Sequence, residues 1–171
     1  MTGLTSDPAR QAHDAVRGYI YQILRSILVW LELSEDEQLY LEGAEDLDRI
    51  DGVEALTEQI KDTIRSGNIT LRTASVVDAI NNFWTHQSRN PDVKIKFRYV
   101  TTSGIGVEQG SPFGADRGGI ELWNALRASP LGTVVDEQVA SIATFLRAEG
   151  KLSTPLKHLL ANESPANIFS R

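Results

Sequence analysis

The chain has 171 residues, 41% hydrophobic and 23% charged, enough for a globular domain with a real core and unlike a disordered or low-complexity chain. It contains no cysteine, which excludes disulfides, thiolate metal sites and cysteine nucleophiles. A net charge of −6 argues against tight, non-specific nucleic-acid binding, and no apolar run is long enough to span a bilayer.

In chain order, residues 7 to about 32 predict a helix. Ser6 or Asp7 caps it and Pro8 suits its first position. Ala12, Ala15, Val16, Tyr19, Ile20, Ile23, Leu24, Ile27, Leu28 and Leu31 recur at three- and four-residue steps. A stripe this wide is expected to pack hard against a sheet. Gln22 and Arg17 sit at its margin, where each either reaches a site at the sheet edge or is solvated.

Residues 37–42 and 45–50 read as two strands, with Leu39 and Leu41 on one face of the first and Leu47 facing the core. Asp51-Gly52 is a hairpin signal, and residues 53–61 form the third strand, with Leu56 and Ile60 sharing a side with Glu54 and Glu58. Ser66–Asn68 is a loop, followed by an extended piece from Ile69 to Arg72. A helix runs from Thr73 or Ser75 to about His86. Residues 93–101 alternate Val93, Ile95, Phe97 and Tyr99 with Lys94, Lys96 and Arg98, so one face is buried and the other carries three cations. Residues 103–119 are a long glycine-rich loop, expected to be a flexible connection or a functional segment. Helices are predicted near 120–128, 136–148 and 154–161, and no element over 162–171. The order suits an α/β fold with a small mixed β-sheet flanked by helices. The expected domain is single, with a core of about 8–105 and a helical extension of about 119–171, and the chain reads as the N-terminal piece of a longer polypeptide. Met1–Asp7 has neither the basic start nor the apolar block of a secretory signal, and a cytoplasmic setting is expected.

Charge is unevenly placed. Residues 35–62 hold eleven of the 23 acids (Glu35, Asp36, Glu37, Glu42, Glu45, Asp46, Asp48, Asp51, Glu54, Glu58 and Asp62) against Arg49 and Lys61. A metal-loading pocket gives this pattern, and so does a solvated acidic face. A strand has a side-chain period of two, so Gln59 and Lys61 share one face, and by the same rule Asp46 and Asp48 share a face. A hairpin at Asp51-Gly52 lets carboxylates, an amide and an ammonium converge. Oxygen ligands of this kind suit Mg²⁺ or Mn²⁺, and phosphodiester cleavage needs such a Lewis acid together with positive charge for the developing oxyanion.

Other chemistries lack their signatures. The glycine-rich loop contains neither a P-loop nor a complete Gly-x-Gly-x-x-Gly, His13, His86 and His158 are scattered, and no Gly-x-Ser-x-Gly elbow exists.

The stretch Ala15-Val16-Arg17-Gly18-Tyr19-Ile20-Tyr21-Gln22, the acidic run Glu42–Asp48, the triplet Gln59-Ile60-Lys61 and the strand ending Tyr99-Val100-Thr101-Thr102 together resemble the PD-(D/E)xK nuclease superfamily. More narrowly, they resemble the N-terminal nuclease domain of CD-NTase-associated and Avs-type antiphage effectors. The resemblance covers about residues 10–105. It implies a restriction-endonuclease-like core, Mg²⁺ (or Mn²⁺) dependence, double-stranded DNA as substrate and hydrolysis of its phosphodiesters. It further implies a fused C-terminal sensor or STAND ATPase, and an oligomer when active. Carried over, Asp46 is the first acidic ligand, Gln59 stands where many members have Asp or Glu, and Lys61 positions the water and stabilises the transition state. Glu42 and Gln22 are auxiliary candidates, and Asp48 competes with Asp46 as ligand. Lys94, Lys96, Arg98, Arg65 and Arg72 are candidates for DNA-backbone contact, with a solvated surface the alternative for each. The rival reading is a catalytically degenerate module used for nucleic-acid binding or effector assembly.

Overall fold

The computed structural model describes residues 13–64, 66–129 and 136–170. Its elements are α1 (His13–Leu31), β1 (Gln38–Leu41), β2 (Leu47–Ile50), β3 (Glu54–Lys61), α2 (Ala74–Arg89), β4 (Lys94–Thr101), α3 (Gly119–Ala128), α4 (Asp136–Ala148), α5 (Thr154–Asn162) and α6 (Pro165–Ser170). The α/β class and the small mixed sheet are as the residue patterns predict. The predicted helix start at residue 7 lies outside the described residues. The expectation of no element after Asn162 is corrected by α6. Ile69–Arg72 is not a strand; only Ile69 bridges, to Ile105.

The chain divides into two compact units. One comprises the segment up to Thr63 together with Val93–Thr102, and the other Ile64–Asp92 with Ser103–Arg171. The first unit holds the whole sheet, in the order β1-β2-β3-β4, with β1-β2 and β2-β3 antiparallel and β3-β4 parallel. The β2-β3 hairpin turns at Asp51-Gly52. Gly52 adopts a φ of 92° that other residues resist, and Asp51 Oδ1 accepts the Glu54 N–H at 2.9 Å.

Register fixes the two faces of this sheet. Leu47 lies opposite Glu58, and Asp48 opposite Thr57. One face therefore carries Leu39, Leu47, Leu56, Glu58, Ile60 and Val100. The other carries Asp48, Ala55, Thr57, Gln59 and Lys61. Helix α1 packs on the first face, where Val29, Leu47 and Ile60 form a buried core with Tyr21, Leu39 and Val100 against it.

The way α1 packs reverses the sequence expectation. Its sheet side is Gly18, Tyr21, Gln22, Arg25 and Val29, and the apolar stripe from Val16 to Leu31 faces outward. Arg25 is the reason. Its Nε and Nη2 each donate to Glu58 at 2.7 Å, while Arg98 Nη1 donates to the same carboxylate at 2.8 Å. Glu58 is fully buried, so a helix turned the other way would leave that charge with only the more exposed Arg98. At the end of β3, Arg17 also pairs with Asp62.

In the second unit α4 packs against α3, α5 and α6. The glycine-rich segment is bound down rather than loose. Ile69 N donates to Gly104 O, and Gly106 N to Ile69 O, each at 2.8 Å. The buried Glu108 carboxylate accepts the Leu71 N–H at 2.9 Å and the Gly119 N–H, at the start of α3, at 2.8 Å. Among the described residues no helix is long and apolar enough to cross a membrane.

Candidate metal and active site

Local sequence sets the geometry of the β1-β2 connection. The five residues from Glu42 to Asp46 turn the chain, with Glu42 in the left-handed region at φ 53° and its N–H donating to Asp46 O at 3.3 Å. A Cβ at Gly43 would collide with Asp48 Oδ2, so glycine allows the turn to fold over that carboxylate. Asp48 Oδ2 then accepts the Ala44 N–H at 2.6 Å.

This folds Asp48 into the sheet. It is 4% exposed, and its second oxygen, Oδ1, is buried without a hydrogen-bond partner among the described residues. Thr57 Oγ1 and Gln59 Oε1, on the adjoining strand, are in the same condition. Asp48 and Thr57 are direct cross-strand partners, and Gln59 and Lys61 follow Thr57 at two-residue steps on the same face. Buried oxygens without partners cost free energy, about 1–3 kcal/mol each, and are uncommon in folded proteins. Three on one face of two neighbouring strands, all of them acceptors, form a set that a hard cation would satisfy. Lys61 is half-buried at the end of this row and makes no ion pair among the described residues.

The other predicted ligands are held as follows. Asp46 immediately precedes β2, which begins at Leu47, so it lies outside the strand expected to span residues 45–50. Asp46 Oδ2 accepts the Ile60 N–H at 2.6 Å, completing the edge of β3 beyond its last pairing with β2. Glu42 is exposed in the turn. Gln22 lies on the sheet side of α1, and α1 packs on the face opposite Asp48, Thr57, Gln59 and Lys61. Among the described residues no three His, Asp or Glu side chains gather as a metal cluster; the set here is one carboxylate, one amide and one hydroxyl. Thr57 was absent from the sequence candidates. Its cross-strand position opposite Asp48 is the signal that finds it, and that requires the register.

The candidate DNA-contacting cations Lys94, Lys96, Arg98 and Arg72 are engaged within the protein. Lys94 pairs with Glu54, and Lys96 Nζ donates to the same carboxylate at 2.6 Å. These two lysines hold the Glu54 carboxyl down to about 2. Arg98 is committed to Glu58. All three share the α1 face of the sheet, opposite Lys61. In the second unit, Arg72 donates to Glu149 at 2.9 Å and to Gln109 O at 2.8 Å, and its guanidinium lies 5.0 Å from the centre of the Phe145 ring. Arg65 lies outside the described residues.

No family model, curated protein or solved structure matches this chain.

Proposed function

We propose that this chain is a metal-dependent double-stranded DNA endonuclease domain with a restriction-endonuclease-like core. The observation that carries the reading is the row on one sheet face: three buried acceptor oxygens on Asp48, Thr57 and Gln59, followed by Lys61. An all-oxygen set with a single carboxylate fits Mg²⁺ or Mn²⁺ better than softer metals, and Mg²⁺ commonly binds through one or two carboxylates plus substrate phosphates. Asp48 Oδ1, Thr57 Oγ1 and Gln59 Oε1 are the atoms that would hold the ion, which when bound supplies Lewis-acid polarisation of a phosphoryl oxygen. Lys61 does what a mobile point charge can do beside such a group. It attracts the phosphate and stabilises the negative charge that grows on its oxygens in the transition state. The Ala44 N–H holds Asp48 Oδ2, which leaves Oδ1 as the free coordinating atom. Asp46, tied to the β3 backbone, serves to position that strand.

The role in antiphage defence and the fusion to a C-terminal sensor or STAND ATPase are drawn from the sequence resemblance, and the cytoplasmic setting from the character of Met1–Asp7. A second reading, a catalytically degenerate module used in assembly, is favoured by one observation: the apolar face of α1 is exposed.

The test is degradation of plasmid and linear duplex DNA by the purified chain, with Mg²⁺, with Mn²⁺ and with EDTA. Metal-dependent cutting that disappears in Lys61→Ala and Asp48→Asn, with circular dichroism unchanged, is the expected result. Cutting that survives Lys61→Ala would remove the assignment from this site. No cutting by the wild type in either metal would favour the assembly reading.

A further inference from the structure

The outward face of α1 has the arrangement of an interface. Val16, Ile20, Ile23, Ile27 and Trp30 follow one another at steps of four, three, four and three, the spacing of a helix–helix seam. Tyr19, Leu24, Leu28 and Leu31 flank it. All nine are between 44% and 71% exposed. At about 100 Å² of apolar surface apiece, the face amounts to roughly 900 Å², well beyond the patch a monomer usually shows and close to one partner's share of a standard interface.

Charge narrows the occupant. From Gly18 to Leu31 the only charged residue is Arg25, and it points at the sheet, bound to Glu58. The outward face therefore offers nothing to select a charged partner, and nothing that repels its own image. A membrane surface fits poorly. A membrane-lying helix keeps Lys and Arg on its polar side for anionic headgroups, whereas here that side is packed on the protein's own sheet and the chain carries a net charge of −6.

We infer that this face pairs with the same face of a second copy, forming an isologous dimer in which Ile23, midway along the seam, meets Ile23 of the partner subunit. The inference stands on α1 alone and does not depend on the nuclease reading.

The 171-residue chain lacks cysteine, so a single introduced one is a clean probe. Ile23→Cys should form a disulfide-linked dimer under mild oxidation. In light scattering at about 50 µM, where an interface of micromolar affinity is populated, the wild type should show twice the chain mass. The exposed double substitution Ile20→Glu with Ile27→Glu should halve that mass without loss of helical signal. A monomeric wild type at this concentration would overturn the inference, as would a monomer that co-sediments with anionic phospholipid vesicles. A dimer unaffected by the double substitution, with no crosslink at position 23, would also overturn it. If the double variant fails to fold, the Ile23→Cys crosslink alone decides.

Discussion

Arg25 and Glu58 meet through two parallel hydrogen bonds of 2.7 Å, and this pair sets which way the first helix faces. The Arg25 guanidinium titrates above its ordinary range, chiefly because of its hydrogen bonds to Glu58. The two charges were taken out of water together, and neither is tolerable there alone.

Removing one partner is therefore costly. Arg25→Ala should destabilise the sheet-bearing unit by about 3 kcal/mol, because Glu58 keeps only the more exposed Arg98. An Arg25→Met, Glu58→Leu double variant should recover most of that loss, since an apolar pair of similar volume carries no uncompensated charge. Urea unfolding followed by circular dichroism reads both. A double variant as unstable as the single one would show that packing, not charge burial, orients the helix.

Thr57 separates structure from function. Its hydroxyl is buried opposite Asp48 with no hydrogen-bond partner among the described residues. Replacing it with an isosteric methyl group removes that penalty, so Thr57→Val should raise metal-free stability by about 1 kcal/mol. The same substitution deletes a ligand. The rise in melting temperature produced by Mg²⁺ or Mn²⁺ should shrink, because a ligand stabilises the fold in proportion to its affinity for it. Equal metal-induced shifts in both proteins would exclude Thr57 from the ligand set.

Acid should loosen the sheet face that α1 covers. The Glu37 carboxyl is lowered to about 2, first by Arg49, whose Nε and Nη2 donate at 2.5 and 2.6 Å, then by the backbone and hydroxyl of Ser34. Glu54 is lowered to about 2 by Lys94 and then Lys96. Both carboxyls titrate lower when folded than the ordinary 4.5, so their contribution is fully present above that value and fades as pH falls from there toward about 2. Glu37→Gln should lower the melting temperature near neutral pH, and its deficit relative to the wild type should close as pH drops to about 2.5. Thermal melts across that range check it. A deficit independent of pH would mean the Glu37–Arg49 contact acts through shape rather than charge.

Much of this molecule is written in local patterns. Period two in 54–61 and 94–101 gave two strands, and it put Gln59 and Lys61 on one face without any knowledge of neighbours. Asp51-Gly52 gave the hairpin, because glycine accepts the positive φ of 92° that the turn imposes at Gly52. The helices followed from their 3.6-residue stripes, apart from α6, whose six residues are too few to show a period.

What the pattern does not carry is the identity of the partner each face meets. The stripe on α1 announces burial against something, and the expectation that this was the sheet failed because Arg25 found Glu58, 33 positions away. The cations of β4 read as a free basic row until parallel pairing with β3 set Glu54 opposite Lys94 and Glu58 opposite Arg98. Asp46 and Asp48 were indistinguishable by spacing; the Gly43 turn and the β2-β3 register drew Asp48 into the sheet beside Thr57 and left Asp46 on a backbone amide. Periodicity is a property of one segment, so sequence alone determined most of the elements and how side chains alternate within them. Charge pairing and register are properties of two segments distant in the chain, and only their meeting in three dimensions decided which oxygens, cations and apolar faces found partners among the described residues.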